Sequence, residues 1–178
     1  MAATAQAFMA QMALFEALLL AATAAHKAAT WSKSRDVMQK FAGVPASLAA
    51  SALVTAIAAE LAVGTLLIVP QYRAAGAISA ALIWTGYLLL IVRAIRSGRR
   101  DVDCGCSFGP TARPLGRVQL ARNAVLAGVA LLIAGVSARS GSAAPQASQV
   151  LGGMALLALY GALDQVSALR PLRSGEVS

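Results

Sequence analysis

The chain has only two cysteines, Cys104 and Cys106, and one glycine separates them. Gly105 lets the backbone turn tightly enough to bring the sulfurs together, although the small disulfide ring is strained and easily reduced. Arg99 and Arg100 favour the thiolate that attacks disulfides and binds metals, whereas the neighbouring aspartates oppose it. The spacing fits a redox-active pair, and it fits equally two small residues that only occupy a tight loop.

A metal site at this pair would need further ligands. Two thiolates supply half of a tetrahedral zinc shell, and the remaining donors would have to be Asp103 or the distant His26. The sequence also lacks a phosphate-binding glycine loop, a nucleophilic triad and a metal-binding helix motif. We therefore predict no bound metal and no cofactor held by a soluble-enzyme motif.

Two carboxyl groups, Glu16 and Glu60, fall near the middle of long apolar stretches. A carboxyl group is costly in lipid, so it turns toward other helices and is paired, protonated or solvated, either for proton handling or as structural hydrogen bonding. Lys27 ends the first stretch, while Arg122 and Asn123 open a later one. These three residues either support the cysteine loop or, for the two cations, extend to the lipid headgroups.

The elements that must position these residues are membrane helices. Of the 178 residues, 58% are hydrophobic and 12% are charged, which is too few charges to cover a soluble globule. About twenty apolar residues cross a bilayer as a helix. We predict one all-α integral membrane domain over residues 1–178, a polytopic bundle of four core spans and a fifth. The predicted spans are residues 7–25, 46–69, 74–92, 118–136 and 147–163.

The first apolar stretch is interpreted as a true span rather than a cleaved signal peptide. No lysine or arginine precedes Lys27, and Glu16 interrupts the apolar run. Trp31, Trp84 and Tyr87 are expected to mark membrane interfaces or helix packing. The aromatic residues are therefore given no cofactor role.

The net charge of +8 reflects membrane orientation rather than nucleic-acid binding, because the basic residues lie in connections and lack a reading helix. With five spans and the amino terminus outside, the cytoplasmic segments hold every lysine and arginine except Arg73 and Arg139. Such a bias follows the positive-inside rule. We therefore predict a multi-pass protein of the bacterial inner membrane with a periplasmic amino terminus and no nucleic-acid partner.

Four motifs recur along the chain in a distinctive order: His26-Lys27, Glu60 to Gly64, Asp103 to Cys106 after an arginine run, and Arg122-Asn123. In these motifs the chain resembles the MauE family of methylamine utilization membrane proteins, which is related to DoxX-like proteins. The resemblance covers about residues 8 to 137. One departure is Ser107, which precedes Phe108-Gly109 where the family pattern reads Cys-Gly-Cys-Phe-Gly.

The resemblance implies a role in processing, export or disulfide maturation of the periplasmic β subunit of methylamine dehydrogenase. It also implies a thioredoxin-like MauD-type partner that exchanges disulfides with Cys104 and Cys106. A redox-active maturation factor is then expected rather than a metabolic enzyme. The predicted topology puts both cysteines at the cytoplasmic face, so they reach a periplasmic client only if the loop folds back or a second carrier intervenes.

The sequence is also compatible with two other functions. One is a DoxX-like, quinone-linked membrane oxidoreductase subunit in which Glu16 or Glu60 passes protons. The other is a non-catalytic membrane scaffold whose cysteines are structural. The first makes a quinone a possible cofactor.

Overall fold

The computed structural model describes residues 2–98, 116–140 and 146–169, and it is helical with no strand in these ranges. A single 3-10 turn at Pro70–Tyr72 joins two of the helices. The helices are α1 Ala2–Ala29, α2 Trp31–Lys40, α3 Ala49–Ile68, α4 Arg73–Arg96, α5 Arg117–Ser140 and α6 Ala147–Leu169.

Five of these helices, all except α2, are long and apolar enough to cross a membrane. Each coincides with a predicted span, so the predicted all-α membrane bundle is confirmed. Many large apolar side chains point outward from the described helices; Leu82 is 68% exposed and Leu151 is 67% exposed. A water-soluble monomer rarely exposes apolar surface of this extent, whereas lipid covers it without cost.

The short polar helix α2 was not predicted from the sequence. Its aromatic end, Phe41, is buried against Ile91 and Ala94 near the end of α4, and Val37 packs on the same cluster. Helix α2 therefore lies across the end of the bundle where α1 and α4 end and α3 begins. We call this the α2 end.

Helix α1 occupies the centre of the bundle. It packs against α3, α5 and α6, while α3 packs on α4 and α4 on α5. The shared core is rich in small residues, including Ala13, Ala17, Ala80 and Ala130, around the large buried Trp84. Small side chains let helix backbones approach closely, which is how membrane helices gain packing energy without a hydrophobic driving force.

Two glycines and one arginine fix the positions of α1, α3 and α4. A Cβ at Gly64 would lie 3.3 Å from the Ala17 carbonyl oxygen, so α1 and α3 are in close backbone contact at this point. A Cβ at Gly76 would lie 2.8 Å from the backbone of α3. At the same turn the buried Arg73 donates from Nε to the Leu67 carbonyl oxygen at 3.2 Å, which satisfies the end of α3.

Candidate functional site

The most polar part of the bundle interior is a cluster of Lys27, Glu60 and Tyr87, contributed by α1, α3 and α4. The Lys27 ammonium donates to Glu60 Oε1 at 2.5 Å, and the Tyr87 hydroxyl donates to the same oxygen at 2.5 Å. Lys27 Nζ also lies 3.1 Å from the Tyr87 hydroxyl oxygen, which accepts from it. Glu60 Oε1 therefore accepts two hydrogen bonds, and the two donor groups, on Lys27 and Tyr87, are hydrogen-bonded to each other.

Burial makes this cluster energetically important. Lys27 is 3% exposed and Glu60 is 1% exposed, so water does not solvate either charge. Lys27 therefore does not extend to the headgroups, which corrects the alternative interpretation of this residue at a helix end. A buried ion pair offsets its desolvation only when its geometry and further hydrogen bonds are good. Tyr87 provides such a hydrogen bond here.

Two spaces adjoin the Lys27–Glu60–Tyr87 cluster. A cavity of about 30 Å³ lies beneath α2, next to Lys27 and Tyr87, and is large enough for one or two water molecules. A larger groove of about 550 Å³ runs between α3 and α4 and is open to the outer surface. Glu60 and Tyr87 line this groove, and Arg93 lies toward its α2 end. The cluster thus borders both a small, mostly apolar cavity and the lipid-facing side of the bundle.

The second buried carboxyl group, Glu16, has different surroundings. The Trp84 indole N–H donates to Glu16 Oε2 at 2.6 Å, and Glu16 Oε1 has no hydrogen-bond partner among the described residues. Glu16 is 0% exposed, within the core of α1, α3, α4 and α5. Trp84 and Tyr87 are themselves in contact, with ring centroids 6.1 Å apart. The two carboxyl groups are therefore linked through adjacent aromatic residues of α4.

Arg122 and Asn123 both face the interior of the bundle, but they have different partners. Arg122 Nη1 lies 3.6 Å from Asp164 Oδ1, and its guanidinium carbon is 5.8 Å from the centre of the Tyr160 ring. These contacts tie α5 to α6. Asn123 is 0% exposed and donates from Nδ2 to the Gln119 carbonyl oxygen at 2.8 Å. Arg122 is thus a helix-pairing residue rather than one that extends to the headgroups.

Cys104 and Cys106 lie outside the described residues. Among the predicted site residues that are described, Lys27 and Glu60 come together, while Glu16 and Arg122 have other partners. Within the described ranges no group of three or more His, Cys, Asp and Glu side chains could hold a metal ion.

Sequence reasoning missed the roles of Tyr87 and Trp84, which it assigned to packing or interfaces. The sequence did contain a sign that the two residues act together, because residues three positions apart on one helix lie on the same face. Buried Tyr and Trp side chains need a partner for their O–H or N–H, and two buried carboxyl groups were the obvious acceptors. Asp164, the partner of Arg122, could have been noticed for a similar reason, because it is an acidic residue within the apolar helix α6 and needs a partner there.

Comparison with known proteins identifies the family. The family model described as Methylamine utilisation protein MauE matches residues 5–136. The chain is 31% identical over 154 residues to a methylamine utilization protein MauE of Methylophilus methylotrophus, covering 85% of this chain and 81% of the relative. It is 31% identical over 157 residues to a protein of the same name from Paracoccus versutus, covering 87% and 84%.

A third MauE relative, from Paracoccus denitrificans, is 32% identical over 123 residues, covering 68% of this chain and 65% of that protein. No solved structure matches the chain. The matched region contains nearly all of α1, the whole of α2 to α4 and most of α5, and hence the whole Lys27–Glu60–Tyr87 cluster. A family model that spans this much of the chain, together with relatives above 30% identity over most of it, shows that the chain belongs to the MauE family.

Proposed function

We propose that this protein is a membrane accessory factor in methylamine utilisation, acting in the processing, export or disulfide maturation of the methylamine dehydrogenase β subunit. The observation that carries the proposal is the MauE family match over residues 5–136, supported by three relatives that are all named methylamine utilization protein MauE. Five helices that are long and apolar enough to cross a membrane suit an accessory factor that acts in the membrane.

The reaction assigned to Cys104 and Cys106 is thiol–disulfide exchange with a thioredoxin-like, MauD-type partner. A thiolate of the pair attacks one sulfur of the partner disulfide, a mixed disulfide forms, and the partner's other sulfur leaves as a thiolate. The second cysteine then attacks the mixed disulfide. The pair becomes a disulfide and the partner a dithiol, with two electrons transferred; the reverse sequence oxidises the partner.

The proposed location is the bacterial inner membrane with the amino terminus in the periplasm, on the basis of the positive-inside charge distribution. This topology places the cysteine pair beyond the end of α4, on the cytoplasmic side. Exchange with a periplasmic partner then requires the pair to enter the bundle or a carrier to cross it. Glu60, hydrogen-bonded to Lys27 and Tyr87, is the proposed site of proton handling.

Replacing both cysteines in the Cys104→Ser/Cys106→Ser variant tests this function. We expect loss of correctly disulfide-bonded β subunit in cells that depend on the variant, measured by thiol alkylation and mass spectrometry of the subunit. Ser107→Ala, in the same segment, is the matched control and should leave the subunit unchanged.

Normal β subunit in the double variant would eliminate the redox role. Labelling Cys104 and Cys106 with a membrane-impermeant thiol reagent, applied to intact cells and to inverted vesicles, determines their side of the membrane. Labelling in inverted vesicles alone is expected. Labelling in intact cells would overturn the proposed orientation.

A further inference from the structure

Two arginines lie where the groove between α3 and α4 reaches the α2 end. Arg93 lines this groove, and it also lines a second pocket at the end of α4 together with Arg96. Leu89 belongs to both spaces, so the apolar groove continues into this basic pocket. We propose that the combined surface binds one anionic phospholipid, with its phosphate at Arg93 and Arg96 and an acyl chain in the groove. The lipid site goes beyond the accessory function and does not involve the cysteine pair.

The charge of the basic pocket is complementary to a phosphate group. Arg93 and Arg96 are both exposed, and because they are three positions apart on α4 they share one face of the helix. Among the described residues, no carboxylate forms an ion pair with either of them. A guanidinium group presents parallel N–H donors that match phosphate oxygens, and cations at the level of the headgroups attract anionic lipids. Two such groups on one face therefore favour a negatively charged headgroup.

The length of the groove matches one leaflet of a membrane. Its lining on α4 runs from Leu82 to Arg93, a separation that corresponds to about 16 Å of helix rise. Half of a hydrocarbon layer of roughly 30 Å is about 15 Å. A lipid whose phosphate is held at Arg93 therefore extends its acyl chain along the whole of this stretch.

The lining of the groove suits an acyl chain. Leu82 and Leu89 are largely exposed on the α4 side, and Ala56 and Ala59 line the α3 side. Nothing lies within 4 Å of a Cβ built at Gly86, so the groove has room at its middle. Its volume of about 550 Å³ lies within the range of roughly 300 to 1,000 Å³ that is usual for small-molecule sites.

The carboxyl group that borders the groove does not oppose this ligand. Glu60 is 1% exposed, and its Oε1 accepts hydrogen bonds from Lys27 and Tyr87. An acyl chain in the groove therefore contacts alkyl and aromatic surface rather than a carboxylate. A zwitterionic lipid fits less well than an anionic one, because its ammonium group would lie near two arginines and like charges repel.

The test measures binding of phosphatidylglycerol to the purified full-length protein by native mass spectrometry, which counts bound lipid molecules. The comparison lipid is phosphatidylcholine with the same acyl chains. We expect phosphatidylglycerol to bind at least about tenfold more tightly, since its phosphate has no cationic neighbour in the headgroup. Arg93→Gln/Arg96→Gln should remove this preference. Gly86→Leu should weaken phosphatidylglycerol binding by at least about threefold, because the leucine fills the groove.

Each variant has a matched control. Lys33→Gln/Arg35→Gln removes the same charge from exposed residues of α2 that do not line the groove. Gly128→Leu on α5 adds a leucine where a Cβ also meets nothing within 4 Å, away from the groove. Both controls should bind phosphatidylglycerol as the wild type does. The Cys104→Ser/Cys106→Ser variant should do so as well, so that failure of the accessory function would leave this result unchanged.

Three outcomes would overturn the proposal. Equal affinity of the wild type for the two lipids would show that the headgroup charge is not recognised. Equal loss of phosphatidylglycerol binding in the two charge variants would show a diffuse effect of surface charge rather than a site at Arg93 and Arg96. Displacement of the lipid by glycerophosphoglycerol, which is the same headgroup without acyl chains, as effectively as by phosphatidylglycerol itself would show that the groove takes no part.

Discussion

Two carboxyl groups are buried in the same bundle, yet their surroundings differ. Glu60 contacts an ammonium and a phenol and lines a groove that opens toward lipid. Glu16 contacts one indole N–H within a closed apolar core. Burial alone therefore does not distinguish a chemically active carboxyl group from a structural one. The two groups are distinguished by whether the carboxyl group has a charged partner and whether it borders a space open to the surface. Glu60 meets both conditions, so it is the candidate for chemistry.

The largest expected effect comes from removing the charge of Glu60. Glu60→Gln should destabilise the protein by about 3 to 5 kcal/mol, because the buried Lys27 ammonium loses its counter-charge. The measurement is the free energy of unfolding in detergent, followed by circular dichroism.

Adding Lys27→Met to Glu60→Gln provides the control for this effect. The double variant has no buried charge at the pair, so most of the lost stability should return. A double variant as unstable as the single one would show that the pair is not coupled. Glu60 and Glu16 would then differ only in that Glu60 borders a groove open to the surface.

A smaller effect is expected from Tyr87→Phe, which removes one donor to Glu60 but leaves the ion pair. Hydrogen bonds to charged groups contribute about 1.5 to 3 kcal/mol, and we expect a loss in this range by the same unfolding measurement. Tyr72→Phe is the control, since Tyr72 is 54% exposed and keeps its ring in the variant. Equal losses in both variants would argue that Tyr87 stabilises the helix packing rather than the Glu60 carboxylate.

The smallest effect is expected at the other carboxyl group. Glu16→Gln keeps an oxygen that can accept from the Trp84 N–H, and no cation among the described residues loses a partner. The free energy of unfolding should change by less than about 1 kcal/mol. A loss as large as that of Glu60→Gln would mean that Glu16 also has a charged partner. The surroundings of the two carboxyl groups would then not differ in charge.

The sequence predicts the spans well because about twenty uninterrupted apolar residues have few stable states other than a membrane helix. The same reasoning placed Glu16 and Glu60 inside the bundle, since lipid is a poor environment for them. The close approach at Gly64 was also predictable, because a small residue beside Glu60 permits contact with α1.

The partners of these residues were not predictable from one sequence. Lys27 lies at the end of a helix, where a cation extends to the headgroups as readily as it turns inward. Which of these occurs depends on the rotation of α1 relative to α3, and that rotation is set by packing at Gly64 and Ala17. Helix α2 was missed because ten mostly polar residues between two spans have the composition of an ordinary loop.

The central position of α1 has a consequence for biosynthesis. This helix is synthesised before α3 and α4, yet both of them supply its polar partners: α3 brings Glu60 to Lys27, and α4 brings Trp84 to Glu16. Until then, a helix with an unpaired lysine and an unpaired glutamate must be held at the insertion machinery or in the bilayer, where both groups are costly. The two buried polar groups of α1 therefore gain their partners only after α3 and α4 have been synthesised.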